Sequence, residues 1–291
     1  MICTLCPRNC KADRSQTVGL CGVGDKIKVA KAYLHLWEEP CISGQKGSGT
    51  VFFSGCNLKC CFCQNYEISH QTRGSEITTE ELSDIFLKLQ DKGAENINLV
   101  SGTQFVSQII SALDRVKHRL DIPVVYNTGG YEKTETIKLL NGYVDIYLPD
   151  LKYFSPELSM RYSKAEDYFQ HASKAIVEMY SQQPKLVYEG DMLKKGLIIR
   201  HLVLPKCRHD SMRVLEWIYE NLPEKSYLIS LMSQYTPAYN SCEYPEINRK
   251  ISTFEYNSVM DKALEYGMEG FFQERSSATL DYTPDFCLLS L

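Results

Sequence analysis

The 291-residue chain has no apolar run near the ~20 residues that cross a bilayer, so no membrane span is expected. Nor is there an excess of basic residues. Lys and Arg number 32 against 36 Asp and Glu, a net charge of −4 that supplies no footprint for nucleic acid or an anionic lipid surface. The opening residues, Met-Ile-Cys-Thr-Leu-Cys-Pro-Arg, lack the apolar stretch of a secretory leader, and a cytoplasmic chain is expected. There is no internal repeat and no low-complexity tract. With 44% apolar and 23% charged residues, the composition excludes a mostly disordered chain, a collagen and a long coiled coil. The length suits one large α/β domain or two small ones.

What is abundant is cysteine. Nine of the twelve lie in the first 63 residues, and only Cys207, Cys242 and Cys287 follow. A chain with an ample core and no export signal has little use for disulfides, so clustered thiols point to metal ligation.

From residue 50 onward, short apolar runs alternate with amphipathic stretches. The pattern predicts strands over 50–54, 96–100, 122–126, 144–148, 196–204 and 226–232. Helices are expected over 105–120, 134–140, 156–182, 211–222 and 253–266, and one opens at about residue 77 with a capping box on Thr79 and Glu81. Six β-then-α units imply a parallel sheet with helical crossovers. A curved version is a partial (β/α)6 barrel, an incomplete TIM-like barrel with its site at the C-terminal strand ends, and a flat doubly wound sheet fits equally well. The glycine-rich stretch at 41–50 divides a cysteine-rich N-terminal segment, 1–45, from a core domain with a C-terminal extension, 46–291. Phe271, Phe272 and Tyr282 are expected to close the sheet edge.

Gly55-Cys56-Asn-Leu-Lys-Cys60-Cys61-Phe62-Cys63 follows the first of these strands with the spacing Cys-x3-Cys-x2-Cys. Thiolates are soft ligands for zinc or iron–sulfur clusters, and three of them can grip three irons of a cubane and leave the fourth open. Cys56, Cys60 and Cys63 are the preferred set, with Cys61 as the substitute for Cys60. Cys3, Cys6, Cys10 and Cys21 form a second set, spaced Cys-x2-Cys-x3-Cys-x10-Cys. Four thiolates close a coordination sphere, which suits zinc, a single iron or an electron-relay cluster. Arg8 and Arg14, nearby, are expected to be solvated. His35 and His201 read as structural histidines.

The Cys56–Cys63 loop, with an aromatic residue before its last cysteine, resembles the signature of the radical S-adenosylmethionine (SAM) superfamily. The segments 38–44, 47–56, 64–69, 200–205, 231–237 and 270–274 resemble its pyruvate formate-lyase activating enzyme-like branch (PflX type). The resemblance implies a 4Fe–4S cluster whose open iron binds SAM, and reductive cleavage to methionine and a 5′-deoxyadenosyl radical. That radical then abstracts a hydrogen atom. It further implies an electron donor such as flavodoxin or ferredoxin, a glycyl radical enzyme as partner, and a monomeric chain.

By the same resemblance, cofactor contacts fall on Phe62, Ser101, Gly102, Asn127, Thr128, Asp150, Lys152 and Gln234. Ser101-Gly-Thr-Gln104 matches a segment that holds the SAM amino group, with Gln104 where the family has Glu. The contact then falls to Ser101, Thr103 or backbone. Asn127 replaces an acid tied to a monovalent cation, Lys152 is placed to meet the SAM carboxylate, and Gln234 stands for a histidine near the ribose. These departures leave open a small-molecule or peptide substrate, and a non-catalytic relay protein is the rival of another class.

Overall fold

The computed structural model describes residues 2–273, so Tyr282 and Cys287 lie outside the described residues. In chain order the strands are β1 (Ile27–His35), β2 (Ser48–Phe53), β3 (Ser75–Ile77), β4 (Ile97–Val100), β5 (Val124–Thr128), β6 (Ile146–Pro149), β7 (Val187–Glu189), β8 (Met192–Leu202), β9 (Leu228–Met232) and β10 (Gly270–Phe272). They form one sheet in the order β10-β9-β8-β6-β5-β4-β2-β1-β3, with β7 on β8. The six strands read from the sequence are its parallel centre, β2, β4, β5, β6, β8 and β9. Both faces of that centre are covered, so β2, β5 and β9 are buried at every residue.

The flanking strands escaped the periodicity. Strand β10 adds a seventh parallel strand, and Phe271 and Phe272 pack at that edge as expected. Strand β1 pairs antiparallel with β2 and β3, so the 45/46 division falls between two hydrogen-bonded strands.

Helices α1 (Pro40–Ser43), α2 (Tyr66–Ser69), α3 (Thr79–Asp91), α4 (Val106–Val116), α5 (Thr134–Leu139), α6 (Pro156–Ser163), α7 (Tyr168–Gln182), α8 (Arg208–Asn221) and α9 (Thr253–Glu265) fill the connections. The N-cap of α3 is Thr78, not the expected Thr79: Thr78 Oγ1 accepts from Glu81 N, and Glu81 accepts from Thr78 N. A capping box needs its acid three residues after the cap, and Glu81 satisfies that only for Thr78. The single helical region expected over 156–182 is two helices, broken at Lys164 in the left-handed conformation (φ 50°).

The C-terminal ends of all six central strands meet at one cavity of about 270 Å³, lined among others by Phe53, Val100, Thr128, Asp150, Arg200 and Met232. In a flat sheet these ends would spread over about 24 Å, five gaps of ~4.8 Å. A common cavity, together with Arg200 on β8 reaching Asn127 on β5 at 2.6 Å, requires the sheet to curve.

Candidate active site

The loop after β2 delivers its thiols to that cavity. Gly55 begins it at φ 85°, where a Cβ would stand 2.8 Å from the Cys21 carbonyl oxygen. Cys56, Cys60, Phe62 and Cys63 line the cavity; Cys61 is not among its lining residues. Cys61 anchors the loop through its backbone, donating to Tyr162 O at 2.8 Å and accepting from Asn240 N at 2.9 Å.

Each cavity thiol has a donor aimed at its sulfur. Leu58 N donates to Cys56 Sγ at 3.4 Å, Ser163 Oγ to Cys60 Sγ at 3.1 Å, and Ser69 Oγ to Cys63 Sγ at 3.3 Å. Burial pushes the Cys63 thiol up to about 12, and Cys60 also upward. Thiolates at these positions therefore need a compensating cation. Among the described residues no three His, Cys, Asp or Glu side chains stand at the spacing of one bound ion. The three sulfurs suit a multi-iron core, whose ligands sit farther apart. Phe62 is buried edge-on against Tyr235 (5.7 Å) and Tyr162 (6.4 Å), fixing the loop's far end.

Ser101 and Gly102 form the turn after β4. Ser101 holds a left-handed φ of 57° while its N–H donates to Asn127 O at 2.9 Å. Gln104 does not face a ligand with its amide. Its Nε2 donates to the carbonyls of Ser101 (2.8 Å), Ser54 (3.0 Å) and Gly55 (3.3 Å), tying the turn to the cysteine loop. A glutamate here would set acceptor against acceptor. The Thr103 hydroxyl is also committed, to Glu132 at 2.5 Å, so of the candidates for an amino-group contact Ser101 and the backbone remain.

On the opposite wall Lys152 Nζ bonds Asp150 Oδ2 at 2.5 Å and Arg200 Nε bonds Asp150 Oδ1 at 2.8 Å. This is a buried network, not a surface pair: the three side chains are only 12–17% exposed. Burial raises the Asp150 carboxyl, but Arg200 and Lys152 outweigh it and hold the group below its usual value. Arg200 also reaches Glu38 Oε2 at 3.3 Å, and Asn127 Nδ2 donates to Glu38 Oε1 at 3.3 Å. Asn127 thus bridges a cation and an anion, a task its amide can do and an acid cannot. The Thr128 hydroxyl points back to Glu132 at 2.5 Å. Gln234 completes the rim, 3.5 Å from both Met232 Sδ and Gln273 Nε2.

Several residues here carried no expectation. Arg200 was overshadowed by His201, which faces away from the cavity and bonds Leu151 O through Nδ1 at 2.6 Å. Strand alternation from the buried Ile199 would have separated the two. Glu38, Glu132, Ser69 and Ser163 are isolated polar residues without a local signal. Arg8 and Arg14 are not the solvated residues expected. Arg8 donates to the carbonyls of Asn57 (2.8 Å), Leu58 (3.2 Å), Ser163 (2.7 Å) and Lys164, while Arg14 is only 7% exposed and donates to Gln104 O at 2.5 Å. Long-range carbonyls, scattered over 150 residues, are what hold them.

The fold and site define a class: an α/β protein with three cysteine thiols gathered at the C-terminal mouth of a parallel sheet. The pattern of the Radical SAM superfamily matches residues 50–182. The chain is 30% identical over 279 residues to uncharacterized protein MJ0674 of Methanocaldococcus jannaschii, covering 92% of this chain and 75% of that one. It is 23% identical over 232 residues to the pyruvate formate-lyase-activating enzyme of Clostridium pasteurianum, covering 77% of this chain and 89% of that enzyme. Methylornithine synthase shares the fold, with a TM-score of 0.51 at 14% identity over 72% of this chain and 60% of that structure. The chain belongs to the radical SAM superfamily. Membership implies a 4Fe–4S cluster and SAM, and the three hydrogen-bonded cavity thiols fit that cluster. No helix among the described residues is long and apolar enough to cross a membrane.

Proposed function

We propose that the chain is an activating enzyme-like radical SAM oxidoreductase that draws a hydrogen atom from a glycine of a partner glycyl radical enzyme. The observation that carries the radical chemistry is the set of Cys56, Cys60 and Cys63, each with its own donor, at the strand ends. When bound, the cluster and SAM supply one-electron cleavage of the sulfur–C5′ bond, giving methionine and a 5′-deoxyadenosyl radical. Cys56, Cys60 and Cys63 would hold the cluster through their thiolates. Lys152, with Asp150 using one of its three N–H donors, presents the others to the SAM carboxylate. Ser101 and the backbone of its turn would take the amino group, Gly102 would keep the turn close, and Gln234 would meet the ribose. Asn127 and Thr128 shape the floor.

The partner reading is supported by the likeness to the Clostridium pasteurianum activating enzyme and by a sheet whose edge strands β3 and β10 do not pair with each other. In a partial (β/α)6 barrel such an open edge would leave room for a loop of a partner protein. Reduction would come from an electron donor such as flavodoxin or ferredoxin.

The test is anaerobic reconstitution followed by assay for 5′-deoxyadenosine with dithionite and SAM. Product at about one equivalent per chain supports the chemistry, and no product with about four irons bound overturns it. A glycyl-radical doublet in the paramagnetic resonance spectrum of an added partner supports activation. Turnover of a small molecule or peptide without any doublet replaces it with the second substrate class.

A further inference from the structure

The cavity leaves the four N-terminal cysteines unused. Residues 2–24 form neither helix nor extended strand, only the antiparallel bridge Ile2–Asp13, with Cys3 N donating to Ala12 O beside it (2.9 Å), and turns such as Gly22 N to Gly19 O (2.8 Å). Three of their larger apolar residues face outward, Ile2, Val18 and Leu20 being about 60% exposed, and of the larger ones only Val23 reaches the main core. Such a segment has no core of its own to hold it.

Its thiols turn inward instead. A Cβ on Gly19 would stand 3.2 Å from Cys21 Sγ and 3.5 Å from Cys10 Sγ, so the missing side chain leaves open the space between those two sulfurs. Cys3 Sγ lies 4.0 Å from Arg14 Nη1, and Cys6 lies within electrostatic reach of both Cys3 and Cys21. Arg14 closes the same space from the other side, its Cδ 3.9 Å from the Gly19 Cβ position. Arg14 is 93% buried; Nη1 and Nη2 bond Gln104 O and Gly24 O, but Nε has no partner. An orphaned buried N–H on a guanidinium beside four thiols calls for negative charge at that point. Four thiolates around a divalent metal, net charge −2, provide it.

We propose that Cys3, Cys6, Cys10 and Cys21 form a second metal centre of four thiolates for a soft metal, with Arg14 as its charge partner. The donor set is all sulfur, which selects zinc or iron–sulfur over hard cations. The sulfurs are not yet at single-ion spacing, so a zinc ion draws them together, whereas a cluster core reaches them farther apart. The centre abuts the cysteine loop: Cys56 N donates to Cys21 O at 3.1 Å, and Arg8 grips Asn57 and Leu58. Arg14 makes the parallel link to the Ser101–Gln104 turn. Metal at the N-terminus therefore positions the cysteine loop and the Ser101–Gln104 turn.

The experiment uses the full chain with Cys56→Ala, Cys60→Ala and Cys63→Ala combined, which removes the cavity ligands and makes the result independent of the radical chemistry. Zinc, iron and acid-labile sulfide are counted per chain after anaerobic purification and after loading with Zn²⁺ or with iron and sulfide. One zinc per chain identifies a single-ion centre, and iron with sulfide a cluster; either supports the proposal if added Cys6→Ala and Cys10→Ala abolish it. A folded triple variant that holds neither metal under any loading overturns it, as does metal content indifferent to Cys6 and Cys10. Should the quintuple variant not fold, alkylation of the triple variant decides. Cys3 and Cys10 are partly exposed, and metal must slow their reaction with N-ethylmaleimide at least tenfold; equal rates refute the centre. Arg14→Gln should weaken Zn²⁺ affinity by about 10- to 100-fold, with Arg14→Lys restoring part of it. Equal affinity in all three removes Arg14 from the centre.

Discussion

Glu132 is fully buried behind the SAM-side turn. One carboxylate oxygen accepts from Thr103 and Thr128, and from Tyr126 at 3.4 Å; the other has no partner. Burial outweighs these bonds and raises the group from 4.5 to about 7. Between those values the folded chain holds more protons than the unfolded one. Its contribution to stability is therefore full below pH 4.5 and declines as pH rises toward 7. Integrated from pH 5 to pH 8, the loss is about 2.5 kcal/mol. Glu132→Gln removes that decline while keeping the acceptor for the three hydroxyls. It adds unpaired N–H at the orphaned oxygen, a cost of about 1 kcal/mol at any pH.

About 0.8 kcal/mol of the parent's contribution is already lost at pH 5, so the variant should be nearly as stable as the parent there and about 2.3 kcal/mol more stable at pH 8. Urea unfolding of both proteins at both pH values, followed by tryptophan fluorescence, measures this. His35 and His201, lowered by burial to about 4, pull the opposite way over pH 4–6.5, but they are common to both proteins and cancel. A stability difference that stays constant from pH 5 to pH 8 would show that Glu132 ionises at its ordinary value, and would refute the argument.

Four further outcomes are expected. Cys60→Ala abolishes 5′-deoxyadenosine formation and Cys61→Ala leaves most of it; the reverse result reassigns the ligand. Arg200→Ala leaves buried Glu38 without a cation and Asp150 with Lys152 alone, and costs about 3–5 kcal/mol in urea unfolding; a loss below 1 kcal/mol contradicts the network. Gln104→Glu turns three donated bonds into repulsions and lowers stability by about 1–3 kcal/mol, with less SAM cleavage rather than more. Gly130→Ala forces a Cβ to 2.1 Å from the Asp150 carbonyl at φ 80°, and should cost at least ~3 kcal/mol or prevent folding; a soluble variant with an unchanged urea midpoint refutes that contact.

What could be read from the sequence was local. The central strands are apolar on both faces, so they stood out, and the cysteine loop announced its chemistry because its thiols lie within eight residues. Strands β3 and β10, three residues each, carry too little pattern, and β1 was hidden among the cysteines. The polar lining divides the same way. Asp150 and Lys152 are two residues apart and were visible; their partner Arg200 is 50 residues from Asp150, and only the pairing of β8 beside β6 brings it there. Arg8 and Arg14 were misjudged because an arginine among loops reads as solvated until the carbonyls that claim it are known.

The grip of Arg8 has a consequence for the chain's synthesis. Its carbonyl at Lys164 is 156 residues downstream, and the one at Ser163 is 155 away. At about 5–20 residues per second, some 8–30 seconds pass between translation of Arg8 and translation of its last partner. For that interval the thiols of Cys3, Cys6, Cys10 and Cys21 are attached to no finished scaffold. The segment around Arg8 is thus made well before its partners and is among the last to find its place, and its sulfurs must reach that moment still reduced.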